Sequence, residues 1–337
     1  VTDVTKIREL LGAPATITPE QGSLPKNFAG VDHNFKMPQV WKTAIAIDGQ
    51  VPVSFPLSFT AEFTFTKKIH DVMLDNYNIK SNDGWETLKG TGDDRYIYPK
   101  DYRYYKNINS ACVLTNTSKG YGWTFNFTVN AEPVQNLNLM AAYTHTVMKE
   151  LTGMPGNNAY STWANMYAVQ GPNFLELGNS RYVIPDRLIA SASYKYAKEH
   201  FSLFYTGYSP SGYSYYYDGD INGDGNRYDL MYIPKDENDI HFTNPADADL
   251  FWKFVNQDSY LKNHKGEYAE PYSARAPFVH RFDFRWAHDF DVKIGQTKNK
   301  LVLSLDIMNV GNLFNSKWGV EKNMAGCNNG KILKVNK

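Results

Sequence analysis

The sequence predicts an all-β fold, an antiparallel transmembrane β-barrel of which about eight strands are present, joined by long extracellular loops. Three observations predict it. Apolar and polar residues alternate with a period of two through most of the chain. The segments between these runs are short and long in strict turn, as in barrels with tight turns at one end and extended loops at the other. Aromatic residues make up 15% of the chain, led by 24 Tyr and 19 Phe. Soluble cores favour aliphatics, whereas membrane barrels carry aromatics on the lipid face and in girdles at both interfaces.

Taken in order, Trp41–Asp48 is the first, less regular run. In Leu57–Thr66, Phe59, Ala61, Phe63 and Phe65 oppose Ser58, Thr60, Glu62 and Thr64. In Trp123–Ala131, Phe125, Phe127 and Val129 oppose Thr124, Asn126 and Thr128. Leu137–Val147 follows, then Leu188, Ala190, Ala192 and Tyr194 against Arg187, Ser191, Ser193 and Lys195. His200–Tyr208 precedes Phe282, Phe284, Trp286 and Phe290 against Arg281, Asp283, Arg285 and Asp289. Last come Leu301, Leu303, Leu305 and Ile307 against Ser304 and Asp306. The connections run 49–56 short, 70–107 long, 132–136 short, 148–186 long, 197–199 short, 209–279 very long and 291–299 short. A soluble sandwich has no reason to place every long loop at one end. A charge facing hydrocarbon is costly, so the polar faces belong to the lumen.

Within the third long loop, Asn244-Pro245 reads as a cap and first helical residue. Leu250, Phe251, Phe254, Val255 and Leu261 then form one apolar stripe of a loop-packing helix. A short helix is expected at Thr5–Leu11. Residues 1–38 read as an extracellular loop, 39–316 as strands and loops, and 317–337 as the start of a further strand. Cys112 and Cys327 read as unpaired.

Lys plus Arg and Asp plus Glu number 35 each, so no net field points to nucleic acid. Mean hydropathy is -0.50 and no run suits a membrane helix, which leaves a strand of about 10 alternating residues untouched. The eight His show no ligand spacing, and no nucleophile or phosphate-binding motif occurs, so no enzyme is expected.

WKTAIAIDGQVP, LTNTSKGYGWTFNFTVN and VQNLNLMAAYTHT resemble late barrel strands of TonB-dependent outer-membrane transporters. LKNHKGEYAEPYSARAPFVHRFDFRWAHDF and LSLDIMNVGNLFNSKWG resemble the Oar-like receptors of the Bacteroidota. Asn116, Gly120 and Gly122 precede one strand as in that family, and Arg275-Ala276-Pro277 with Asp283 enters another. Asn309, Asn312, Asn315 and Trp318-Gly319 follow the last. The resemblance implies a 22-stranded barrel in the outer membrane with an N-terminal plug. Its activity would be uptake of a scarce solute driven through the TonB complex, which engages the missing N-terminal part. Plug, TonB box and the final aromatic-terminated strand are not visible here, and two open edges are not tolerated in lipid. The chain is therefore expected to be part of a longer one. The alternative is a non-transporting barrel that serves as surface receptor or as scaffold with lipoprotein or other outer-membrane partners.

Asp220, Asn222 and Asp224 with Gly225 form D-x-N-x-D-G, the first half of an EF-hand-like Ca2+ loop, with the Asn226 carbonyl next. The twelfth position is Met231, where a carboxylate belongs, so Asp229, Asp218 or a distant residue would complete the shell. The same residues also suit a polar surface turn. The run Tyr213-Ser214-Tyr215-Tyr216-Tyr217 suits sugar or peptide contact if exposed, and loop packing if not. Neither reading names a substrate.

Overall fold

The computed structural model describes residues 26–322 and 330–335. Most of the chain enters one large, mostly antiparallel sheet. Its long strands are β2 (Gln39–Gln50), β3 (Leu57–Asn76), β5 (Tyr121–Val134), β6 (Leu137–Glu150), β8 (Asp186–Tyr196), β9 (Glu199–Tyr208), β13 (Val279–Ile294) and β14 (Thr297–Ile307). They pair in sequence order, each with the next. These are the eight strands that alternation predicts, and each has at least the 9–11 residues that cross a bilayer. Three of the four short connections are two-residue turns, with Asn136, Ala197 and Gly295 in the left-handed region that such hairpins require. Among the described residues β2 and β14 pair on one side only, so the sheet has two open edges and closure into a barrel is not seen.

Register sorts the side chains into rows. Ile47, Ala61, Phe127, Tyr143 and Leu188 stand opposite one another across five strands. The adjacent row is Ala46, Glu62, Asn126, Thr144, Arg187 and Tyr208. Farther along, Phe201, Trp286 and Leu305 form one row, and Ser202, Arg285 and Asp306 the next. One face is thus apolar and aromatic from edge to edge, and the other polar. Soluble sheets bury the apolar face against a second layer. Here Phe63, Phe127 and Leu303 remain 41, 38 and 54% exposed, with nothing packed over them.

The buried cores lie elsewhere, in the long connections. One gathers Leu74, Ile79, Tyr98, Cys112, Trp163 and Met166, and the other Tyr215, Met231, Ile233, Phe251, Val255 and Leu261. Burying Val255 and Leu261 completely stabilises by roughly 1.5–3 kcal/mol each. The first long connection ends in β4 (Ser110–Thr117), which pairs with the far end of β3 and carries β1 (Asn27–Val31) in parallel on its other side. The second holds α1 (Ala159–Ala164), capped reciprocally by Asn158 and Ser161, and β7 (Gly178–Asn179), which pairs with the end of β6. The third holds β10 (Gly212–Tyr213), β11 (Tyr216–Asp218) and α2 (Pro245–Gln257), with β12 (Ala274–Arg275) on β10. Asn244 caps α2 as expected, and Phe251 and Val255 face inward, while Leu250 points out.

Two expectations need correction. Residues 317–337 do contain a strand, β15 (Lys331–Lys334), but it pairs in parallel with β11 in the loop layer instead of extending β14. Within residues 1–38, Asn27–Val31 forms β1 and joins the loop layer through β4, where a loop alone is expected. Cys112 is free and fully buried. Cys327 and the Thr5–Leu11 helix lie outside the described residues.

Candidate functional site

The predicted cation loop connects β11 to the segment that ends at Met231 and lies inside the loop layer. Local chemistry shapes it first. The Asp220 carboxylate accepts the backbone N–H groups of Gly223 at 2.6 Å and Gly225 at 3.2 Å. Asn222 Oδ1 accepts Asp224 N–H at 3.0 Å, and Asp224 Oδ1 accepts Asn226 N–H at 2.6 Å. These are Asx turns in succession, made possible by Gly223 and Gly225 at φ +84 and +88. The turn alternates: Gly223, Gly225 and Arg227 are exposed, while Asn222 is fully buried and Asp224, Asn226 and Asp229 nearly so.

Asp229 comes back into this turn because its backbone is held on two sides. Its carbonyl accepts Tyr217 N–H, and the flanking Leu230 N–H donates to the Ala168 carbonyl. Its Oδ2 in turn accepts Ile221 N–H at 2.9 Å. One carboxylate oxygen from each of Asp220, Asp224 and Asp229 then lies within 4.8 Å of the others. Of the five residues singled out by spacing, the structure therefore brings three carboxylates together. Asn222 and Asn226 stay in the same buried turn, with Asn222 Oδ1 engaged by Asp224 N–H. Asp218 turns away to pair with Lys331 at 2.9 Å. Met231, at the twelfth position, is fully buried in the core of the loop layer, so Asp229 at the tenth supplies the late carboxylate.

Burial and the neighbouring acids hold the Asp229 carboxyl well above the usual carboxylate range, and burial raises Asp224 as well. Asp224 Oδ2 has no hydrogen-bond partner. A buried acceptor left this way costs about 1–3 kcal/mol, more if charged. The one fully buried cation among the described residues, Arg95, pairs with Asp93 at 2.8 Å and donates to the Leu230 carbonyl, and it lowers the Asp229 pKa only through space. A donor set made of carboxylate oxygens suits a hard cation such as Ca2+ or Mg2+.

Sequence reasoning missed the residues that enclose this turn. Tyr98 comes from the first long connection, donating its N–H to the Asn222 carbonyl and its hydroxyl to the Gln170 carbonyl. Gly171 comes from the second: a Cβ there would collide with the Tyr98 hydroxyl and approach Asp224 Oδ2 to 2.8 Å. No spacing signal could have linked positions so far apart in the chain. Of the two readings of the tyrosine run, loop packing holds: Tyr215, Tyr216 and Tyr217 are buried, Tyr215 and Tyr217 in the loop core and Tyr216 against Tyr167 and Tyr228.

The polar face of the sheet forms a second array. Arg281 pairs with Asp283 at 2.8 Å and Arg285 with Asp306 at 3.4 Å. His200 and Lys300 both reach Asp289. Arg281–Asp283 is paired within β13, and the other charges satisfy one another across neighbouring strands.

No protein-family model matches the chain, and neither a curated protein nor a solved structure matches it.

Proposed function

We propose that this chain is part of an outer-membrane β-barrel, with its apolar face in lipid and its polar face on an aqueous lumen. The observation that carries this reading is the inversion of the sheet. An aromatic face runs across all eight long strands without a covering layer, while ordinary hydrophobic cores form in the loops. In water such a face would drive aggregation. In a bilayer it is the face that the solvent requires, and the open edges of β2 and β14 would pair with the remaining strands. The long connections, all at one end, would lie outside the cell and the tight turns in the periplasm.

The resemblance to TonB-dependent Oar-like receptors supports uptake of a scarce solute as the activity of the complete protein. The packed loop layer would form the extracellular cap where solute is first captured, and the ion-paired polar face would line the path inward. The test uses the full-length protein. It should fractionate with outer membranes, need detergent, and bind the purified periplasmic domain of TonB. Outer-membrane location without TonB binding would favour the surface receptor or scaffold role. A protein soluble without detergent would refute both.

A further inference from the structure

We infer that Asp220, Asp224 and Asp229 bind one Ca2+ ion, which ties the three long connections of the loop layer together. Three carboxylates converge within 4.8 Å. Convergence of acids alone decides little, since acidic turns are common on surfaces. The second observation is that Asp224, itself a member of the cluster and only 5% exposed, keeps Oδ2 buried beside Gly171 without any hydrogen-bond partner, while its Oδ1 is engaged by Asn226 N–H. The backbone N–H groups of Ile221, Gly223, Gly225 and Asn226 hold the three carboxylates in place from one side. That pattern orients the acids and leaves Asp224 Oδ2 without a donor. Arg95 acts on Asp229 only through space: its Nε and Nη2 are held by Asp93 and the Leu230 carbonyl, and its ion pair is with Asp93.

Ca2+ fits better than Mg2+. It accepts six to eight oxygens in irregular geometry, whereas Mg2+ demands a near-ideal octahedron and keeps most of its water. Carboxylates drawn from two stretches of one loop, closed in by Tyr98 and Gly171 from two others, make an irregular site. Because those neighbours come from separate connections, an ion here would fix their mutual placement. Such binding does not depend on whether the barrel transports.

The experiment uses the detergent-purified full-length protein, stripped with EGTA and titrated with Ca2+ by calorimetry. One ion per chain is expected, with a Kd on the order of 10⁻⁴–10⁻³ M, as in extracellular modules. Asp224→Asn and Asp229→Asn each remove a carboxylate ligand without changing shape and should weaken binding by about tenfold or more, while the heat-modifiable barrel band persists. Tb3+ provides a check free of mutation: it should bind the wild-type protein, emit under excitation of Tyr98 and be displaced by Ca2+. Arg227 is exposed beside the site, so saturating Ca2+ should also slow tryptic cleavage after it. Absence of both saturable Ca2+ heat and sensitised Tb3+ emission would overturn the assignment. So would folded Asn variants that bind Ca2+ as the wild type does.

Discussion

Replacing Phe127 or its neighbour Asn126 by Arg separates a lipid-facing sheet from a soluble one. Phe127 is the seventh of fourteen residues in β5, so in the barrel reading it lies near the bilayer midplane. Its cross-strand partners are Ala61 and Tyr143, and its ring centroid is 6.2 Å from that of Phe59. Arg at this position faces hydrocarbon, at roughly 2–4 kcal/mol near the midplane. Asn126 stands opposite Glu62 and Thr144 on the polar face, where its Oδ1 accepts the Thr144 hydroxyl at 3.1 Å. Arg there loses about 0.5–1.5 kcal/mol of hydrogen bonding but gains a cross-strand carboxylate worth about 0.2–1 kcal/mol. The net cost of Asn126→Arg is therefore near zero to 1 kcal/mol. At 1.4 kcal/mol per tenfold, Phe127→Arg alone lowers the folding equilibrium by roughly 30- to 700-fold. The assay is the fraction of heat-modifiable barrel in outer membranes, followed by urea midpoints in lipid vesicles. Equal loss in the two variants would refute the lipid-facing assignment, and greater loss in Asn126→Arg would reverse the faces.

Three further outcomes follow from the same geometry. With Cys327 replaced by Ser, a cysteine at Asn157 or Ser211 should label on intact cells with a membrane-impermeant maleimide, and one at Gln135 or Lys198 should not. Labelling of the tight turns would invert or abolish the topology. Cys112 is fully buried and burial pushes its thiol up to about 11, so at pH 8 only about one molecule in a thousand is thiolate. Raising the pH from 7 to 9 should speed alkylation of an introduced surface cysteine yet leave Cys112 unmodified by mass spectrometry until the loops are unfolded. Asp93→Asn strips the charge partner from fully buried Arg95, whose guanidinium packs over Tyr217 and Tyr268. A buried charge left unpaired costs about 3–5 kcal/mol. Proteolysis should then open residues 209–278 while the heat-modifiable band survives; loss of the band would mean that the loop layer and the sheet fold as one unit.

What could be read from the sequence divides along the range of the interactions. Strand alternation is local: each residue's side is set by its neighbours, so Phe125, Asn126 and Phe127 declare their faces without knowledge of the fold. Hairpin partners are nearly local as well, because Asn136, Ala197 and Gly295 close turns between adjacent strands. Interactions between the long connections carry no such signal. Three neighbouring tyrosines look the same whether buried or exposed, and only the packing of Tyr215 against Met231 and α2 decides it. β15 pairs with β11 more than a hundred residues away, a contact that no period announces. The carboxylates of the candidate site lie between these extremes. Spacing identified Asp220 and Asp224 and offered Asp229 among the candidates to complete the shell, and turn geometry makes the first two converge. Asp229 joins through ladder bonds to Ala168 and Tyr217, and Tyr98 and Gly171 close the pocket from elsewhere in the chain.

On the proposed barrel reading, the two kinds of packing belong to two solvents. In the eight long strands the buried hydrophobic side chains are Leu74, Val279 and Ala287. Val279 and Ala287 lie on the polar face, and Leu74 lies where β3 runs on to meet β4. In the loop layer Val255, Leu261, Met231 and Ile233 are excluded from water altogether. A chain folding in water alone would have no cause to cover the loops and leave Phe63, Phe65, Phe125 and Phe127 each 37–41% exposed. A chain whose strands meet lipid and whose loops meet water has cause to do both, since hydrocarbon rewards an apolar exterior while the loops must build a core of their own. Detergent removal is thus the simplest discriminator. The strands should lose their pairing or aggregate without an apolar solvent, whereas the cores around Tyr98 and Val255 owe nothing to it.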